Sequence, residues 1–235
     1  MAQRGNGWHG ILLVLLLLAA AACSPGGATS EEELRKLAGE GQAVRARQET
    51  EENLRTLVKA YDGTSLDLGL LILEDRCVGG AAREYFFQSG DDQYRIRCWL
   101  TATAYYTAPR DELVEVLTSI GREGDRFDSL ITFDRDSVRY PLAYYRNRGK
   151  VGGRSQPVEP QLSAGSTTLT WDHLYSEKPI SESQPCSRND PPVRRCWHEP
   201  TDTSIRKLRQ RGMVFQLSLS PKEYHYVMKY GKTGT

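Results

Sequence analysis

The chain has 235 residues, with 31 basic side chains against 30 acidic ones and a formal charge of +1. So even a balance leaves no basic footprint for general nucleic-acid binding. Hydrophobic residues make up 39% of the chain, enough for a core, and neither a CxxC nor an HxxxH spacing marks a metal site.

The first element is an apolar run, Ile11 to Ala22, preceded by Arg4 and closed by the small residues Ala19 to Ala22. It falls short of the roughly 20 residues that cross a bilayer as a helix. A positive start, an apolar stretch of about 7–15 residues and small residues at its end are the marks of a secretory signal peptide. Ala20-Ala21-Ala22-Cys23 after a leucine run resembles the lipobox of bacterial lipoproteins. The resemblance covers residues 1–23 only. It implies cleavage after Ala22, a diacylglyceryl group on the Cys23 thiol, and a protein held at the cell membrane on its extracytoplasmic face. Residues 1–22 are then a signal peptide, 23–30 a lipid-anchored tether, and 31–235 a single extracytoplasmic domain.

Ser30-Glu31-Glu32-Glu33 matches a capping box and starts a helical segment over 31–61, weakened at Gly39 and Gly41. Its first half has a thin apolar face and reads as a solvated spacer. Its second half carries Leu54, Leu57, Val58 and Tyr61 on one stripe. A strand follows over 65–77. Residues 83–88 and 94–107 flank the turn "SGDD" and read as a hairpin, with Cys98 on the inward face of its second arm. Pro109, Asp111 and Glu112 open a helix that buries Leu113, Val116, Leu117 and Ile120 and is expected to end at Gly121.

Residues 129–136 and 137–145 read as two strands, the second bent at Pro141. A Gly/Ser/Pro-rich loop spans 149–166, and "TTLTW" (167–171) is a short strand. Residues 179–200 hold five prolines and two cysteines and read as an irregular excursion. "SIRKLRQRG" is a short basic helix. "MVFQLSLS" is a strand that "SPK" turns back into "EYHYVMKY", with His225 on its surface. The fold class that results is α+β, an antiparallel-dominated sheet with helices mainly on one face and a helical segment leading into it.

Five cysteines are an odd number. With Cys23 assigned to the lipid, Cys77, Cys98, Cys186 and Cys196 remain. The pairing closest in sequence is Cys77–Cys98 with Cys186–Cys196, and an exported compartment permits it. No catalytic or cofactor motif stands out; GxSxG is absent. His173 beside Asp172, and His198 beside Glu199, are the candidate general bases of an extracytoplasmic hydrolase. The stretch from Arg188 to Arg211 carries seven basic residues against three acids. Within it Arg194, Arg195, Arg206, Lys207 and Arg209, with Trp197 as an aromatic anchor, form a candidate surface for an envelope protein or a polyanionic wall polymer. The expected function is a lipid-anchored binding or scaffolding module that needs no cofactor, no metal and no nucleic acid.

Overall fold

Ser30 opens the first helix as its sequence implies. Its hydroxyl accepts a hydrogen bond from the Glu33 amide at 3.2 Å, with Glu31, Glu32 and Glu33 against the positive end of the helix dipole. The computed structural model describes residues 28–80, 93–156, 158–176, 178–182, 193–229 and 233–235. Helix α1 (Glu31–Ala38) gives way at Gly39 to α2 (Gly41–Asp62), so the break expected near the two glycines is real. The expected spacer role is not. Leu34, Leu37, Ala38 and Ala43 are buried, and α1 packs across the sheet rather than standing off it. Three or four apolar residues at the right spacing suffice to bury a short helix when a sheet lies beneath it.

Strand β1 (Asp67–Gly79) pairs antiparallel with β2 (Tyr94–Ala108). Cys77 and Cys98 sit directly opposite one another in that register and form a disulfide. A short 3-10 turn (Arg110–Glu112) leads into α3 (Leu113–Gly124). This helix runs a turn beyond Gly121. A Cβ at Gly121 would lie 2.5 Å from Val138 Cγ2, so the glycine serves close packing against the next helix, not termination.

That next helix, α4 (Arg135–Arg146), replaces the two strands expected over 129–145. Asp134 caps it, accepting from the Ser137 amide at 2.8 Å and the Ser137 hydroxyl at 2.7 Å. Val138, Pro141, Tyr144 and Tyr145 make its buried face at a helical period. Pro141 removes one helical donor, but burying this aromatic stripe outweighs that bond.

Residues 149–166 are less irregular than expected. Strands β3 (Lys150–Val151) and β4 (Arg154–Ser155) form a small hairpin, and β5 (Leu162–Ala164) pairs with β6 (Thr167–Trp171). Strand β7 (Val193–Glu199) pairs with β1, so the second half of the expected excursion is an edge strand. Helix α5 (Ile205–Arg209) follows. Strand β8 (Met213–Met228) is continuous where a hairpin was expected at "SPK". The register against β2 slips between Leu100–Lys222 and Ala102–Leu219, so Pro221 sits in a bulge rather than a turn. Strand β9 (Thr233–Gly234) pairs with the end of β8.

Among the described residues seven strands form one antiparallel sheet, in the order β5-β6-β8-β2-β1-β7 with β9 beside β8. Helices α1 to α4 cover one face and build the main core, with Leu73, Leu100, Tyr106, Phe215 and Leu217 at its floor. Helix α5 lies on the other face, where Ile205 and Leu208 pack on Leu70, Ile72, Tyr105 and Val214. The fold is α+β, with its helices mainly on one face.

Candidate functional site

The end of β6 is built around Asp172. Its carboxylate accepts from the Ile180 amide at 2.7 Å, the Val214 amide at 3.1 Å and, in a two-bond pair, from Nε and Nη2 of Arg209, each at 3.1 Å. Arg209 Nη2 also donates to the Ile180 carbonyl at 2.6 Å. Asp172 is buried, so this fourfold satisfaction is what lets a carboxylate sit there. It also ties α5 to the loop after β6. Glu182 adds a second tie, accepting from the Ile205 and Arg206 amides at the start of α5.

Glu159 organises the rest of that loop. It accepts from the amides of Leu174, Tyr175 and Ser176 and from the Tyr145 hydroxyl, which in turn accepts from Trp171 Nε1 at 2.7 Å. Burial alone would raise the Glu159 carboxyl. The three amides and the hydroxyl outweigh it and hold Glu159 below the usual carboxylate range. His173 stands on this scaffold with Nδ1 2.8 Å from Ser176 Oγ.

His173 and Pro179 form a rim between two cavities. One, of about 510 Å³, is lined by Arg110, Arg209 and Arg211 together with Asp172 and Gly212. The other, of about 670 Å³, is lined by Tyr140, Gln161, Thr170, Trp171 and Gln216 among others.

The predicted residues fall as follows. Asp172 does not orient His173, because its oxygens are spent on Arg209 and two amides. His198 lies opposite Ile72 on β7, and its neighbour Glu199 is held by Arg55 of α2 at 2.6 and 2.7 Å. That pair drives the Glu199 carboxyl below its ordinary range.

Trp197 sits opposite Leu73 and packs, half-buried, against the main core; it is not the exposed anchor of a loop. Arg194 points to the other face and donates to Glu74 at 2.9 Å. Arg195 is exposed on the edge strand, and Arg206 and Lys207 are exposed on α5. The candidate binding set is therefore divided. Trp197 belongs to the helix-covered face, while Arg206, Lys207 and Arg209 belong to α5 on the opposite one.

Cys196 is disulfide-bonded. Cys23, Cys186 and, of the expected hairpin over 83–107, the first arm (83–88) and the turn (89–92) lie outside the described residues.

His225 is not a surface residue. A bulge in β8 at Cys98/Trp99 gives Tyr224 and His225 the same inward side, and both are buried. Tyr224 donates to the buried Asp75 at 2.6 Å. Burial raises the Asp75 carboxyl, only partly offset by Tyr224 and by Arg47 at 3.9 Å. Neither ring nitrogen of His225 has a hydrogen-bond partner among the described residues. Burial pushes its pKa down, with Glu40 acting weakly the other way.

Among the described residues no group of three or more His, Cys, Asp or Glu side chains is arranged to hold a metal, and no helix is long and apolar enough to cross a membrane. Comparison with known proteins finds no matching family, no matching curated protein and no matching solved structure. Sequence reasoning missed the Glu159 scaffold, Ser176 and Arg110. Nothing in the local pattern flags them, because they meet only through the fold.

Proposed function

We propose that this chain is a lipid-anchored cell-envelope protein whose folded domain binds an envelope protein or a wall polymer on the extracytoplasmic side. The observation that carries the reading is the cysteine usage. Cys77–Cys98 is a disulfide across the central strands and Cys196 is also disulfide-bonded, as suits an exported compartment. Cys23, at the end of the apolar leader, is then the thiol left for a lipid.

The start of the fold supports this placement. Thr29 donates through its amide to the Gly80 carbonyl and through its hydroxyl to the Arg95 carbonyl at 2.6 Å. Cys23 lies six residues before Thr29 in the sequence, so the chain can carry it at most about 20 Å from that point at roughly 3.5 Å per residue. A lipid on Cys23 therefore holds the Gly80/Arg95 end of the sheet near the bilayer. The β1 start, 13 residues along that strand, then points away from it.

The test is fractionation of cells expressing Cys23→Ser. The variant is expected in the soluble fraction and the parent protein in the membrane fraction. Equal membrane retention of the two would overturn the anchor.

One observation favours a hydrolase instead, the 2.8 Å approach of His173 Nδ1 to Ser176 Oγ. Among the described residues neither nearby carboxylate is free to orient that imidazole, since Asp172 and Glu159 are both committed. Hydrolysis of a p-nitrophenyl ester by the purified chain, abolished by Ser176→Ala, would carry that second reading.

A further inference from the structure

The two cavities that meet at His173 and Pro179 differ in chemistry. In the first, Asp172 neutralises Arg209, so the charge that remains is that of Arg110 and Arg211. Neither has a carboxylate partner among the described residues, and both stand exposed at the mouth. Two arginines lining one depression raise its positive potential, and their planar forks match the oxygens of a phosphate or carboxylate. A cavity of about 510 Å³ has room for more than a bare ion.

The second cavity is lined by one lysine, Lys178, and one acid, Glu159, so its formal charges balance and neutral groups make up most of the rest. Tyr140 lines it half-exposed, while Gln161, Thr170 and Gln216 bring amide and hydroxyl groups. Planar aromatic surface beside neutral hydrogen-bonding side chains is the chemistry that takes a sugar ring and its hydroxyls. The rim is itself well supported, because Glu159 and Asp172 fix the loop on either side of His173. The wall between the two halves of the cleft is therefore held in place.

We propose that this two-part cleft binds an anionic sugar, its phosphate or carboxylate held by Arg110 and Arg211 and its ring lying over Tyr140 against Gln161, Thr170 and Gln216. The proposal deepens the binding reading above by naming a ligand chemistry, and rests on it only for the envelope setting.

Calorimetric titration of the full chain in detergent tests it. The probes are glucose 6-phosphate for the phosphate source, galacturonate for the carboxylate source, inorganic phosphate, and neutral glucose. At least one sugar anion is expected to bind and glucose is not. Arg110→Ala with Arg211→Ala should weaken that binding roughly tenfold or more, the effect of losing charge-assisted hydrogen bonds, while thermal unfolding stays unchanged. Tyr140→Ala should weaken the sugar anion but not inorganic phosphate.

The proposal falls if no anionic probe binds at millimolar concentration, if glucose binds as well, or if the double arginine variant binds like the parent. A Tyr140→Ala chain that binds every probe unchanged would overturn the sugar half. These titrations do not depend on Cys23, so a failed anchor and an empty cleft are told apart.

Discussion

His225 makes a prediction whose sign and size follow from its surroundings. It is fully buried, both ring nitrogens lack partners among the described residues, and Glu40 acts on it from the helix side. Above its unfolded value of about 6.5 the imidazole is neutral in both states and pH has no effect through it. Below about 6.5 the unfolded chain takes up a proton that the folded chain refuses. Stability is then lost by up to about 1.4 kcal/mol per pH unit until the depressed folded pKa is reached. Between pH 6.5 and 5.0 the loss is at most about 2 kcal/mol.

Asp75 titrates the other way. Its raised carboxyl binds a proton earlier in the folded state and adds stability on acidification. A comparison within one background removes that contribution. Urea unfolding of the parent and of His225→Leu at pH 7.0 and 5.0 supplies it. The leucine variant should be at least as stable at pH 7.0, since two unsatisfied buried nitrogens are gone. It should also lose less on acidification than the parent. Parallel losses in the two proteins would refute the reasoning.

Asp172→Ala should cost about 3 kcal/mol, the lower end for breaking a buried pair, because Arg209 keeps some contact with water while two buried amides lose their acceptor. Urea unfolding checks it, and residues 178–182 should become the first site of limited proteolysis; a loss under about 1 kcal/mol would contradict the fourfold role. Replacing Cys77 and Cys98 by alanine should lower stability by about 3 kcal/mol, the chain-entropy value for a 21-residue separation. Thiol titration of the unfolded, unreduced parent should find neither cysteine free.

Local periodicity made most of the sheet and two of the longer helices legible. The alternation over β2 and over Met213, Phe215, Leu217 and Leu219 matches the buried faces. The Ser30 capping box and the Leu54–Tyr61 stripe mark real helices. Helix α4 was hidden because "VRYPLAYY" is rich in residues that favour strands, and Pro141 argued against a helix. Its spacing of buried residues was helical all along, and packing on α3 at Gly121 decided the matter. His225 was hidden for the opposite reason. Strict alternation holds only until a bulge, and a bulge puts two neighbours on the same side.

The cleft shows a further limit of sequence reading. Asp172 drew notice only as the neighbour of His173, yet adjacent residues on an extended chain diverge, and the two serve different purposes. What fixes Asp172 is Arg209, 37 residues on, and what fixes the loop bearing His173 is Glu159, in a stretch that looked like plain loop. Each carboxylate gathers backbone amides from residues distant in sequence, Ile180 and Val214 on Asp172 and Leu174, Tyr175 and Ser176 on Glu159. Both were legible as charges and neither as a hub, since the groups they satisfy come together only once β6, β8 and α5 are in place. The arginines at the mouth follow the same logic. Arg209 is consumed by structure, and that is why Arg110 and Arg211, rather than the basic helix as a whole, are the residues left to meet a ligand.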